Sequence, residues 1–334
     1  MGKNETLKDI FVKELKEVLE KKLVETKSDE EVERILQSLD VPKVFQAFLD
    51  EACDHIFHYM KLTMYEEVLV QRSRDKEFIA HQEQIWNRAF VASEAMYIMA
   101  LEAAESYSEY VSTLDEDMKA QREWTFMALQ HIHGRALQEF LEVITLLKNG
   151  FADGAYARWR SMYELSVIAA FIKEHGESVA RKFYEASETD DRYDWAKVSG
   201  IWPENKKHIN FSDIEKSCTL NTEDWKNQYV LANRVVHASP QGTFARLGNT
   251  GTHSIIPAGR SDYGITTPGE HSAISLAVIS ALFFTVFPET DTVASVNIIN
   301  RWVHVIRETY FKAHDEAFPD DEKMWDDELC ESTD

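Results

Sequence analysis

The sequence predicts an all-α protein: a multi-helix bundle with one long glycine-rich loop and little or no strand. Apolar residues recur at three- and four-residue steps along most of the 334-residue chain. No stretch sustains the alternation of apolar and polar residues that a half-buried strand requires. Six of the twelve glycines lie between Gly242 and Gly269. We therefore expect helix in more than half of the residues, and strand only within 240–266.

The first 115 residues are expected to form an N-terminal helical region. An amphipathic helix is predicted over 5–27, because its apolar residues share one stripe and its lysines and glutamates fill the other side. Pro42 opens a later helix, at a position that tolerates proline. Since 44–110 contains neither glycine nor proline, two or three long helices should follow, with a join near Ser73–Asp75.

A helical core domain is predicted at 116–318, followed by an acidic tail at 319–334. The uncharged run 272–287 is shorter than the roughly twenty residues that a membrane-spanning helix needs, so it should be a buried core helix. Thr267–Glu270 precedes it with the spacing of a capping box and a proline at the first helical position. Further helices are expected at about 117–148, 177–188, 222–238 and 291–318.

The centre of this domain is a helical hairpin around a turn at 150–154. Its second helix carries Arg160 and Glu164, which are four residues apart and therefore share a face that is otherwise apolar. We expect both side chains to be mostly buried. Glu164 should bond to an arginine or to groups near His237.

Charge and cysteine usage favour a cytoplasmic protein with no membrane segment. The three cysteines are far apart and form no CxxC pair, which is typical of a reduced compartment. The first thirty residues are charged throughout, unlike a signal peptide. The net charge of −22 would repel nucleic acid if it were spread evenly, so its distribution along the chain matters.

One window breaks the acidic pattern. The thirty-seven residues from 225 to 261 contain no Asp or Glu, and their four Lys and Arg residues give a local charge of +4. A glycine-rich loop with spare backbone N–H groups beside arginines suits a phosphate or another anion, and Arg246 is a candidate substrate-binding residue on this ground. The alternative is an internal loop whose arginines pair with acids elsewhere on the chain.

The preceding helix carries the candidate catalytic pair, Arg234 and His237. Tyr229, Asn233 and His237 follow at four-residue steps, with Arg234 within reach of the same patch. Histidine can transfer a proton near neutral pH while arginine holds a phosphate charge, as metal-free RNA cleavage requires. The alternative is a satisfied buried histidine. Besides this pair, the predicted substrate-binding residues are Arg160, Glu164, Tyr229, Asn233 and Arg246; no metal or cofactor is predicted.

Two other polar clusters are weaker candidates. Glu51, Asp54, His55 and His58 share one helical face, as a metal site on a helix requires. A helical di-metal site needs a second Glu-x-x-His motif, which the sequence lacks, so a solvated face is the favoured interpretation. The histidines of His131–Arg135 are expected to line a helix start.

Two short runs carry a family resemblance. LLKNGFADGAYARWRSMYEL, which holds Arg160 and Glu164, and the later ANRVVHAS resemble an uncharacterised bacterial helical family, DUF 5677, over roughly residues 120–310. The order of arginine, glutamate and a late helix ending in Arg and His is also similar to HEPN domains. That resemblance implies an RNase of toxin–antitoxin or anti-phage systems that dimerises to build its site. The HEPN motif has a polar second residue and a longer spacing than 234–237, so only Arg234 and His237 carry over.

The sequence thus favours a metal-independent, HEPN-like ribonuclease, or a nucleotide- or anion-binding protein, of a bacterial defence or toxin system. Its expected partners are RNA or a nucleotide, a second copy of the chain, and another defence-system protein. A non-enzymatic helical scaffold or regulator acting through protein contacts is the alternative. A metal-dependent helical enzyme using Glu51, His55 and His58 is the third possibility.

Overall fold

The protein is helical throughout its described part. The computed structural model describes residues 6–24, 28–38, 40–190, 192–221, 223–237, 239–244, 246–248 and 258–319. Helices make up 82 % of these residues, and no strand occurs among them, so the predicted fold class is confirmed. Residues 249–257 of the glycine-rich loop, which fall within the range where strand was expected, and nearly all of the acidic tail lie outside the described residues.

Twelve α-helices and two 3₁₀ turns occur in the described part of the chain. The helices are α1 (Leu7–Leu23), α2 (Asp29–Ser38), α3 (Val41–Ser112), α4 (Glu116–Ala120), α5 (Glu123–Lys148), α6 (Ala152–His175), α7 (Glu177–Glu185), α8 (Phe211–Glu215), α9 (Glu223–Val236), α10 (Pro240–Phe244), α11 (Thr266–Phe284) and α12 (Thr290–Ala317). The 3₁₀ turns are Ala186–Glu188 and Asp194–Ser199. Among these described helices, none is both long and apolar enough to cross a membrane.

The chain divides into two compact units, Met1–Asp75 and Lys76–Asp334. In the first unit the apolar stripe of α1 packs on the start of α3. The ring of Phe11 lies 4.8 Å from that of Phe45 and 5.2 Å from that of Phe48, measured between centroids. This contact occupies part of the apolar stripe of α1.

Helix α3 runs unbroken through the position where a join was expected, so the join near Ser73–Asp75 is wrong. With neither glycine nor proline available, nothing in the backbone forces a break. The unit boundary falls after Asp75, whereas the sequence suggests one near residue 115. The second half of α3 buries Trp86 and Phe90 completely in the core of the second unit, which explains why these residues group with the later helices.

The second unit is built around α11, which packs against α5, α6 and α12. Its uncharged run is largely buried, as expected for a core helix. The predicted capping box at its start is wrong. The helix begins at Thr266, and its N-cap Ile265 makes no side-chain capping bond. Glu270 is buried and pairs instead with Arg307 of α12, with Nε 3.3 Å from Oε1.

His133 lies in the core rather than at a helix start, because α5 begins ten residues earlier at Glu123. Its Nε2 is 3.0 Å from Oγ of Ser280 on α11, and its ring packs on Phe283 and Phe284. Burial lowers the pKa of His133 from 6.5 to about 3. This histidine therefore stays neutral at physiological pH and serves packing.

The turn between α5 and α6 depends on Gly150, which has a φ of 72°. A Cβ there would lie 2.6 Å from the ring of Phe78 and 2.7 Å from the carbonyl oxygen of Ser261. Only glycine combines the left-handed backbone with this close approach. Ser261 N also donates a hydrogen bond to Gly150 O at 3.0 Å, so the end of the glycine-rich loop is attached to the central hairpin.

Candidate functional site

Glu164 joins α6 to α9. Its Oε1 lies 2.8 Å from Nη2 of Arg160 and accepts a hydrogen bond from the hydroxyl of Tyr229 at 2.9 Å. The side chains of Arg160 and Glu164 are only 24 % and 15 % exposed. The predicted pairing of Glu164 with an arginine is therefore confirmed. The Nε of Arg160 is buried and has no hydrogen-bond partner within the described residues.

Tyrosine side chains hold α9 against α6. The rings of Tyr163 and Tyr229 lie 4.5 Å apart between centroids, and the hydroxyl of Tyr156 donates to the carbonyl of Gln228 at 2.9 Å. Burial, together with the nearby charge of Glu164, raises the pKa of Tyr229 to about 12. Tyr229 is therefore a hydrogen-bond donor at neutral pH, and its contact with Glu164 positions α9.

The last turn of α9 presents Arg234 and His237 to solvent. Both side chains are exposed and neither forms an ion pair or side-chain hydrogen bond within the described residues, whereas Asn233 is half-buried. The chain then reverses sharply into α10. A Cβ on Gly242 would lie 2.0 Å from the carbonyl oxygen of Arg234, so glycine permits this reversal. The exposure of His237 is the opposite of what a satisfied core histidine would show.

A cleft of about 750 Å³ lies between α5, α6 and the last turn of α9. Val236 lines it, but Arg234 and His237 do not, because neighbouring helical residues point to different sides. The geometry thus places the candidate pair beside the cleft rather than inside it. The lining residues are Gln138, Leu141, Glu142, Thr145, Leu146, Gly154, Ala157, Arg158, Arg160, Ser161 and Val236.

The charged groups of this cleft are of both signs. Nε of Arg158 lies 2.7 Å from Oε2 of Glu142, and Arg160 pairs with Glu164, so a carboxylate neutralises each of the two lining arginines. The cleft wall is therefore not uniformly positive. The exposed Arg234 next to it belongs to α9.

A buried carboxylate, Glu139, lies next to this cluster. Its side chain is 4 % exposed and its Oε1 lies 2.9 Å from Nε of Arg135 and 3.7 Å from Nη1 of Arg158. Its Oε2 has no partner in the described chain, and burial raises the pKa of Glu139. Sequence reasoning missed this residue, although its four-residue spacing from Arg135 was a visible signal.

The arginines of the acid-free window are largely committed to the central hairpin. Nε of Arg246 lies 3.0 Å from Oδ2 of Asp153, and Leu247 N donates to Oδ1 of the same carboxylate at 2.9 Å. Arg260 donates to the carbonyl and side-chain oxygens of Asn149 at 2.9 and 2.8 Å. The pairing of Arg246 with Asp153 corresponds to the alternative interpretation, in which arginines of the window pair with acids elsewhere on the chain.

Two other sets of titratable groups are an exposed cluster on α3 and the buried Lys173. Glu51, Asp54, His55 and His58 are exposed on α3, and no group of three or more potential metal ligands comes together in the described part of the protein. Lys173 donates to the carbonyl of Leu282 at 2.9 Å at the end of α11. Burial lowers the pKa of Lys173 to about 8, and its role there is to cap the helix.

Comparison with known proteins gives one similarity. No curated protein and no solved structure matches the chain significantly. Residues 126–215 match the sequence model of DUF5677, a family of unknown function. The match includes Arg160, Glu164 and the hairpin but stops before Arg234 and His237. Over its central helices, the chain is therefore similar to DUF5677.

Proposed function

We propose that this protein is a metal-independent, HEPN-like ribonuclease of a bacterial defence or toxin system. The observation that carries the proposal is the exposure of Arg234 and His237 together on the last turn of α9, beside a cleft of about 750 Å³. Neither side chain is committed to a partner among the described residues. Both are therefore available to a ligand.

The two side chains suit phosphodiester chemistry. A ribose 2′-hydroxyl attacks the adjacent phosphorus as His237 accepts its proton, and the bond from phosphorus to the 5′-oxygen breaks as that oxygen takes up a proton. Arg234 stabilises the charge that develops on the phosphate oxygens. A second copy of the chain would supply the second histidine for the leaving oxygen, so a homodimer belongs to this proposal.

Arg160, Glu164 and Tyr229 have a positioning role in this scheme. They bond to one another between α6 and α9, and through α9 they set the orientation of its last turn. Binding of a nucleotide without cleavage would use the exposed guanidinium of Arg234.

Another protein of the same defence system would act as trigger or inhibitor of the ribonuclease.

The test is RNA cleavage by the purified protein in the presence of EDTA. Cleavage should persist, and His237→Ala should lower its rate about 10²- to 10⁴-fold, the usual effect of losing an acid–base group. His304→Ala is the matched control, because His304 is also exposed on a helix. Equal rates for the wild type and His237→Ala would refute the proposal, as would the absence of any cleavage.

A second experiment concerns binding. Arg234→Ala should weaken RNA binding as well as turnover, whereas Arg301→Ala, at an exposed position of α12, should not. Added salt should weaken binding of the wild type, because the attraction acts on phosphates. Salt-independent binding would argue against this site.

The second candidate is a non-enzymatic scaffold or regulator that acts through protein contacts. It is favoured by a different observation, the exposed apolar surface of α3. It predicts an intact protein with no RNA cleavage under any condition, and the EDTA assay separates the two candidates.

A further inference from the structure

A stretch of α3 exposes an unusual amount of apolar surface. Of the fifteen residues from 56 to 70, ten are large hydrophobic residues with more than a third of their surface exposed: Ile56, Phe57, Tyr59, Met60, Leu62, Met64, Tyr65, Val68, Leu69 and Val70. Leu62, Tyr65 and Tyr59 are each about two-thirds exposed, at 68, 67 and 66 %. At its start, Ile56 lines a cavity with Leu7 and Ile10 of α1. We call residues 56–70 the free segment.

The exposed area exceeds that of an ordinary surface patch. These ten residues, which lie on several sides of the helix, together expose on the order of 1,000 Å², more than the few hundred Å² typical of patches on monomers. A helix that is apolar on most sides is normally buried, so the free segment calls for a partner.

We propose that the free segment pairs in antiparallel orientation with the same segment of a second copy of the chain. One exposed stripe runs along it at alternating four- and three-residue steps, the repeat of a coiled-coil seam. The stripe consists of Glu51, His55, His58, Leu62, Tyr65, Leu69, Arg72 and Lys76, all of them exposed.

Charge complementarity along this seam selects the orientation and the partner. If Leu62 of one copy lies opposite Tyr65 of the other, antiparallel pairing also places His58 opposite Leu69 and Glu51 opposite Lys76. Glu51 of each seam then meets Lys76 of its partner, and His55 meets Arg72. A parallel pair would instead place Glu51 against Glu51 and Lys76 against Lys76, which is unfavourable. The seam is therefore complementary to itself, as a two-fold interface requires.

The first test is the mass of the full-length chain by sedimentation equilibrium at micromolar concentration. The wild type should have twice the chain mass of 38.6 kDa. Leu62→Glu/Tyr65→Glu should be monomeric with unchanged helical content, because both side chains are exposed in the single chain. The matched control is Val91→Glu/Ile98→Glu, which alters two residues of the same helix that are 54 and 51 % exposed; it should remain dimeric.

The second test examines orientation by charge exchange. Glu51→Lys and Lys76→Glu, made singly, should each weaken association about tenfold, because every dimer contains the pair twice and exposed pairs contribute modestly. The double exchange Glu51→Lys/Lys76→Glu should restore the wild-type dissociation constant. Single exchanges that leave association unchanged or strengthen it would overturn the antiparallel arrangement.

A monomeric wild type, whether the segment is bare or covered by another part of the chain, would overturn the whole inference. So would a dimer that persists in Leu62→Glu/Tyr65→Glu. These measurements use no RNA. A monomeric wild type would also remove the homodimer from the proposed function, whereas a dimer that cleaves no RNA would refute the ribonuclease alone.

Discussion

The hydroxyl of Tyr229 donates a hydrogen bond to Oε1 of Glu164 at 2.9 Å, and the same oxygen lies 2.8 Å from Nη2 of Arg160. Sixty-five residues separate Glu164 from Tyr229 in the chain. The contact therefore couples the central hairpin to the helix that ends in Arg234 and His237.

Loss of this hydrogen bond should measurably destabilise the protein. Tyr229→Phe keeps the ring contact with Tyr163 but removes a donor to a carboxylate, which should lower the free energy of unfolding by about 1–3 kcal/mol in urea titrations. Arg181→Ala, which breaks an exposed pair with Glu185, should cost less than about 1 kcal/mol. Equal stability of Tyr229→Phe and the wild type would mean that the contact does not hold α9.

The buried His133 should make the protein sensitive to acid. Burial lowers its pKa from 6.5 to about 3. Between these two pH values His133 is therefore protonated in the unfolded chain but neutral in the folded chain. The stability associated with neutral His133 is complete above pH 6.5 and is lost as the pH falls towards 3. His133→Gln should make the decline between pH 6.5 and 4 shallower, whatever its effect at neutral pH. An unchanged slope, matching that of the exposed control His304→Gln, would contradict the assignment.

Gly269 should be intolerant of a side chain. It lies in α11 where α12 crosses, and a Cβ there would be 2.4 Å from the ring of Tyr310. Gly269→Ala should therefore lower stability by about 1–3 kcal/mol through overpacking. Gly134→Ala is the matched control, because no atom lies within 4 Å of its Cβ position in α5; it should stabilise the protein by about 0.5–1 kcal/mol. Thermal melts of the two variants that shift in the same direction would disprove this packing argument.

A side chain at Gly242 should disturb the C-terminal end of α9 and leave the core unchanged. A Cβ at this position would collide with the carbonyl oxygen of Arg234, so Gly242→Ala should displace α10 and loosen the last turn of α9. Amide hydrogen exchange should become faster over 233–244 and remain unchanged in α11. If the proposed ribonuclease activity is present, it should fall in parallel. Unaltered exchange at His237 would show that the reversal does not constrain the site.

Local patterns were sufficient to predict most helices and one ion pair. Helical periodicity depends on residues three and four apart, so the sequence alone indicates the all-α class, the buried run 272–287 and the approximate extents of α9 and α12. Arg160 and Glu164 are four residues apart on one helix, and their pairing needs only that helix to form.

Only the tertiary structure decided which partners these residues meet. Tyr229 reaches Glu164, Arg246 reaches Asp153, and Glu139 comes within 3.7 Å of Arg158 because helices pack at particular angles and offsets. Sequence spacing along one element carries no information about that packing. The cleft and the committed arginines of the glycine-rich loop could not be predicted for this reason.

His133 and His237 show the same difference between what the sequence determines and what the tertiary structure determines. His133 and His237 both occur in helical patterns beside an arginine, yet one lies 1 % exposed in the core and the other is exposed after the last turn of α9. Composition and periodicity determined that both would be near helices. Their burial depends on what the opposite helices present. For His133 that burial lowers the pKa, because desolvation arises from all neighbours in space.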